Sequence, residues 1–181
     1  MTTLAIVTAL LVGFGIWIYN RLVRDRNQVK NAWSDIDVQL VRRHELVPLL
    51  VTAVKAYASY EKATLTAVTE LRARSQSTSR LPEKAVLEAE MEAGLHRLVL
   101  LAEDYPDLKA DENFRQLADQ LTEVEDHLQY ARRFYNGAVR MLNTRIQSFP
   151  HILIAGPLGF QAAEFFEADT DARPTPRVAL N

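Results

Sequence analysis

Residues 27–51 read NQVKNAWSDIDVQLVRRHELVPLLV, and the spacing of their apolar side chains decides the fold class. Val29, Trp33, Ile36, Leu40 and Val47 recur at alternating steps of four and three, with Arg43 and His44 standing in the one gap, so they stripe one side of a helix. Gln28, Lys30, Ser34, Asp35, Gln39 and Arg42 lie opposite, where they can face water. The stretch predicts a helix that needs a partner along one face only.

Downstream, Pro48 is the first punctuation. Its ring clashes with the carbonyl four residues earlier and disfavours helical geometry at Val47, so the chain is expected to turn near Leu46 and open a second helix there. The stripe of that helix is Leu50, Val54, Tyr57, Leu65, Val68 and Leu71, and it fades in the polar run RSQSTSR, residues 74–80, which reads as a loop. Pro82 and Glu83 open a third helix, carrying Leu87, Met91, Leu95, Leu98 and Ala102 up to a turn at Tyr105-Pro106-Asp107. Asp111 is a suitable N-cap for a fourth helix, running to Ser148. Phe114, Leu117, Leu121, Val124, Leu128, Ala131, Tyr135, Ala138 and Leu142 give it a heptad seam.

Upstream, Thr2 to Tyr19 carries no charged side chain, and 18 helical residues reach roughly 27 Å, close to the hydrocarbon thickness of a bilayer. Leu4, Ile6, Leu10, Phe14, Trp17 and Tyr19 are the side chains expected to meet lipid, the last two at headgroup level. The competing reading is a cleaved signal peptide, which needs a basic start and a small-residue cleavage site; neither stands here. Arg21, Arg24, Arg26 and Lys30 follow the span and nothing basic precedes it, so the N-terminus is expected outside and the body in the cytoplasm of a bacterial inner membrane. Neither Gly nor Pro occurs from Asn20 to Glu45, so the span should continue unbroken into the first body helix.

The expected architecture is all-α: an N-terminal transmembrane helix (1–20) continuous with an elongated antiparallel four-helix bundle (21–148), an apolar membrane-proximal loop and short helix (149–168), and an extended tail (169–181). Composition agrees, being rich in Ala, Leu, Val, Glu and Arg and poor in Gly and Pro. A formal charge of −2 gives no reason to expect nucleic acid, and the absence of cysteine excludes disulfides and thiolate metal sites.

In an up-down-up-down bundle the fourth helix returns to the bilayer and delivers Phe149, Ile152, Leu153, Ile154, Leu158 and Phe160 there, in a run too short and too broken by Gly and Pro to span. Three readings stay open: a loop folded over the bundle end, a segment touching lipid, and a contact with a neighbouring subunit. Glu164 to Ala168 suits one further helical turn.

The sequence carries no motif of a familiar catalytic or metal site. None of His44, His96, His127 and His151 has a Glu three residues earlier, as a di-iron bundle needs, and His44-Glu45 lacks the second histidine of a zinc-protease helix. The histidines read as surface or capping residues. Glu88, Glu90, Glu92, Glu123, Glu125 and Asp126 alternate with seam positions and read as a solvated face. No catalytic, metal-binding or cofactor residue is expected. Arg132, Asn136 and Asn143 lie beside the fourth helix's seam and are costly to bury unpaired, so they either set register inside the bundle or face a neighbouring subunit; Trp33 is core or an interface anchor.

Several blocks together resemble the LemA family of bacterial membrane-anchored proteins: Tyr19 to Val23, Ala32 to Leu40 with Arg42-Arg43, Leu46 to Val51, Tyr105 to Ala110, Glu112 to Phe114, Ala131-Arg132, Tyr135-Asn136, Asn143 to Pro150, Gly159-Phe160, Phe165 to Ala168 and Pro176 to Val178. Pro157 and Phe165 are mild departures. The resemblance implies an anchor, a helical bundle, no established activity, and loose connections with envelope stress, a membrane protease and, in one branch, intracellular membrane compartments. The expected function is a non-enzymatic, self-associating scaffold that organises the membrane, with lipid and further copies as partners; the alternative is an adaptor for a membrane protease or stress-response protein.

Overall fold

The computed structural model describes residues 1–167, and these are all-helical apart from their connections. The expected tail lies outside the described residues. Helix α1 is one unbroken rod, Thr2–Tyr57, about 84 Å long at 1.5 Å per residue. It is followed by α2 (Lys62–Ser77), α3 (Leu81–Leu100), a 3-10 turn (Leu101–Glu103), α4 (Pro106–Ala110), α5 (Glu112–Gln147) and the short α6 (Ile152–Ala155). Asp111 caps α5 as expected, its Oδ1 accepting from the Phe114 N–H at 2.8 Å.

Helices α1 and α5 run antiparallel as the spine of the molecule. Cross-links mark the register: Asp25 pairs with Arg145, Trp33 packs edge-on to Tyr135 at 5.8 Å, Arg43 pairs with Glu125, and the Tyr57 hydroxyl donates to Asp111 at 2.9 Å. The outer pairs are 32 residues apart on α1, about 48 Å along the axis. Between them the expected stripes meet in one core containing Val29, Ile36, Leu40, Leu50, Val54, Leu117, Leu121, Val124 and Leu128. Helices α2 and α3 form an antiparallel hairpin that joins this core through Leu65, Val68, Met91, Leu95 and Leu98. The hairpin packs closely at Gly94, where a Cβ would lie 2.8 Å from Val68 Cγ2.

Two boundaries differ from expectation. Pro48 neither ends a helix nor begins one; α1 passes through it to Tyr57, and the break comes ten residues later, at Ala58 to Glu61. Proline removes the N–H that would bond the His44 carbonyl. That carbonyl instead accepts from Arg72 Nε on α2 at 2.7 Å, so the orphan group is satisfied across the helix interface. The account predicts a non-additive pair. Arg72→Met should cost about 1–2 kcal/mol, and in a Pro48→Ala background most of that cost should vanish, because an alanine backbone at this position restores the missing N–H donor. Urea midpoints of the four chains measure it.

The second difference is that α2 continues to Ser77, so Ser75 is helical and fully buried, where a loop is expected from residue 74. The further helical turn expected at Glu164 is likewise absent. Residues 161–167 are non-helical, and the short helix lies earlier, at Ile152–Ala155.

The N-terminal part of α1 is long and apolar enough to cross a membrane, with a mean hydropathy of 1.9 over its best 18-residue window, and almost all of it is exposed. Leu4, Ile6, Leu10, Phe14, Trp17 and Tyr19 all point outward. A membrane location fits this segment.

Candidate functional site: a buried charge cluster and a clasped C-terminal strap

The gap in the α1 stripe is filled by charge. Arg43 is 0% exposed and reaches from α1 to two other helices, α3 and α5. Its Nη1 donates to both Glu125 oxygens, at 2.7 and 3.0 Å, while Nη2 donates to the Glu88 carboxylate and, at 3.3 Å, to the Glu88 carbonyl. Glu88 is also 0% exposed; Arg43 donates to its Oε2, while Oε1 is shared by His44 Nε2 at 2.8 Å and the Ser75 hydroxyl. One carboxylate thus ties α1, α2 and α3 together, and Arg43 extends the network to α5.

Two readings from the sequence are corrected here. His44 is a buried ligand of Glu88 and not a surface or capping residue, and Glu88 belongs to the interior, not to a solvated face. The signal that could have found them is the gap itself: position 43 to 44 falls on the buried stripe, so a charge there must meet a buried partner.

Burial opposes ionisation of Glu88 most strongly. The hydrogen bond from His44, the Arg43 charge and the Ser75 hydroxyl together outweigh it and hold the carboxyl at about 2. Glu125, whose desolvation outweighs the Arg43 attraction, is instead raised. A depressed carboxyl contributes stability that is complete above its unfolded value, near 4.5, and is lost as pH falls toward 2. The difference of 2.5 pH units corresponds to about 3 kcal/mol. Glu125 acts with the opposite sign, because its protonation on the way down relieves part of its burial cost. Stability should therefore fall between about pH 4.5 and 2, and Glu88→Gln should flatten that limb. Denaturant titrations across the range measure it.

Arg43, Ser75 and Glu88 are sealed from solvent, and the Ser75 hydroxyl donates to the Glu88 carboxylate, so the cluster joins its helices through buried hydrogen bonds and ion pairs. Among the described residues no group of three or more His, Asp or Glu side chains is placed to hold a metal.

The second cluster gathers four residues singled out in the sequence. After α6 the chain turns and runs back along α5 as an extended strap. Asn143 clasps Ala163 on both sides, donating to its carbonyl at 2.9 Å and accepting from its N–H at 2.8 Å. Asn136 does the same for Phe166, at 3.2 and 2.9 Å. Seven helical residues and three extended residues both span about 10 Å, so the two asparagines meet alternate turns of helix and strap in register. The Tyr135 hydroxyl adds a bond to the Glu164 carbonyl at 2.9 Å.

Phe166, 3% exposed, seats its ring edge-on to Trp33 at 5.6 Å with the Arg132 guanidinium 5.5 Å above it, and Arg132 also pairs with Glu92 of α3 at 3.0 Å. The observed partner of Trp33, Arg132, Asn136 and Asn143 is thus the chain's own C-terminal segment. The remaining candidates lie at the other end of this segment. Phe160 is buried with Ala155 against Ile18 and Leu22 of α1, Ile154 packs beside them, and Phe149, Ile152, Leu153 and Leu158 are exposed.

Among known proteins, Protein LemA of Metamycoplasma hominis is 27% identical over 173 residues, which cover 90% of this chain and 79% of that protein. Magnetosome protein MamQ of Magnetospirillum gryphiswaldense is 22% identical over 204 aligned residues, covering 98% of this chain and 73% of the relative. Magnetosome protein MamQ 2 of Paramagnetospirillum magneticum is 32% identical over 97 residues, 52% of this chain but only 35% of that protein. The LemA family model matches residues 32–180, which include α1 from Ala32 onward, all of α5, the charge cluster and both clasping asparagines, and the chain belongs to the LemA family.

Proposed function

We propose that the protein is a non-enzymatic membrane scaffold: a transmembrane anchor continuous with one elongated antiparallel four-helix bundle, copies of which associate side by side and organise the bilayer. The basic residues Arg21, Arg24, Arg26 and Lys30 favour a cytoplasmic bundle on a bacterial inner membrane. Because α1 has no break between span and bundle, the bundle's pose is fixed, and neighbours anchored in one membrane present matching faces.

One observation carries the self-association. The outer face of the α1–α5 pair exposes Val38, Val41, Tyr130 and Phe134, and Val38, Tyr130 and Phe134 line a groove of about 450 Å³ with Asp35, Gln39 and His127. Exposed apolar faces of this kind mark interaction surfaces. The test is reconstitution of the full chain into vesicles, imaged by electron microscopy. Regular arrays or a narrowed range of curvature are expected, and they should disappear with Tyr130→Glu/Phe134→Glu. Vesicles indistinguishable from protein-free ones would overturn the reading.

A second reading, an adaptor for a membrane protease or stress-response protein, is favoured by a separate groove of about 440 Å³ between α2 and α3, lined by Ala67, Leu71, Ala93, Gly94 and Arg97. It predicts that cross-linking in cells captures a different protein at this groove and that the α1–α5 face variant leaves the capture intact.

A further inference from the structure

We infer that the loop from Phe149 to Phe160 is a lipid-inserting wedge that enters the leaflet on the bundle side of the membrane. The inference rests on α1 being a membrane anchor and names what the returning loop touches.

The argument is one of depth. If Thr2 to Tyr19 spans the hydrocarbon, Gly15 lies about 6 Å inside its bundle-side end. Ile154 reaches that level, its Cδ1 4.0 Å from where a Cβ on Gly15 would stand. The His151 ring packs near Trp17, at 6.3 Å, again within the span. Higher up, Phe160 meets Tyr19 edge-on at 5.8 Å and lies under the Arg26 guanidinium at 5.1 Å, at the height where amphipathic rings and basic side chains meet headgroups. The loop is thus docked along the last turns of the span and the first turn beyond it, and its position is fixed by the packing of Ala155 and Phe160 on Ile18 and Leu22.

What the loop leaves exposed suits the same surroundings. Phe149 is 79% exposed, Leu153 65%, Leu158 53% and Ile152 50%, in a segment with no Asp, Glu, Lys or Arg from Phe149 to Ala163. Both His151 ring nitrogens are shielded and lack a hydrogen-bond partner. In water these side chains would form a costly apolar patch, whereas docked at Gly15 and Trp17 they add to the apolar surface that α1 exposes through Leu10, Phe14 and Trp17. The added volume lies in one leaflet only.

The chain has no cysteine, so single-cysteine variants carry an unambiguous label. An environment-sensitive fluorophore is placed at Leu153→Cys, Leu158→Cys, Leu10→Cys and Tyr60→Cys of the full chain, in vesicles of phosphatidylcholine and phosphatidylglycerol. The expected result is blue-shifted emission at 10, 153 and 158, quenched severalfold more by spin-labelled acyl chains than by aqueous iodide, with 60 showing the reverse. Lipid quenching at 10 with iodide quenching at 153 and 158 would overturn the wedge and leave the anchor standing. Iodide quenching at 10 as well would overturn the anchor and the wedge together. Shielding at 153 and 158 that is lost when the protein is highly diluted in lipid would assign the loop to a neighbouring subunit and also overturn the wedge.

Discussion

Replacing Arg43 with Met is expected to lower the unfolding free energy by about 3–5 kcal/mol, because it strands the buried Glu88 carboxylate and leaves Glu125 facing an uncharged side chain. That is a large share of the ~5–15 kcal/mol typical of a folded protein. The loss belongs to the broken pairing, so a chain in which Arg43, Glu88 and Glu125 are all replaced by apolar residues of similar volume should recover much of it. The remainder reflects His44 and Ser75, which lose their shared acceptor. Chemical denaturation of the single and triple variants decides the matter: a single variant within about 1 kcal/mol of wild type would mean that the four helices are not fastened at this point.

Phe166→Ala should have an effect of similar size, about 3–5 kcal/mol from the lost ring alone, but confined to the strap. Trp33 and Arg132 lose the ring they flank, and the Asn136 and Asn143 clasps are left to hold an extended segment against its conformational entropy. The strap should release while the helices persist. A glutamate-specific protease then cuts at Glu164 and Glu167 at an early time point, whereas far-ultraviolet circular dichroism and the main unfolding transition change little. Continued protection of both sites would show that the clasps suffice without the ring.

How much of this was legible in the sequence depends on how local each cause is. The stripes of α1 and α5 and the Asp111 cap were readable because helical period and capping are set by residues within a few positions of one another. The unbroken passage through Pro48 was not, since the group that compensates it is Arg72, which bonds a carbonyl 28 residues away on another helix. The charge cluster left one trace, the Arg43-His44 gap, but the carboxylates that answer it lie 44 to 82 residues off. The strap left a finer trace: Asn136 and Asn143, seven residues apart beside one seam, have the spacing needed to grip an extended chain at every third residue. The sequence showed which residues were out of place in a plain helical seam, but it did not show what they would hold.

These features bear on function together. The cluster locks the helices to one another, the strap locks the C-terminal segment to the spine, and the unbroken α1 locks the whole to its anchor. In the scaffold we propose, a body this constrained would transmit the position of its neighbours to the bilayer instead of absorbing it. The most direct test of the central claim is the mass of the full-length protein in mild detergent and in lipid nanodiscs, by light scattering. The account predicts an assembly of several copies that Tyr130→Glu/Phe134→Glu reduces to single chains. A monomer carrying only detergent or lipid, at every concentration tried, would contradict it.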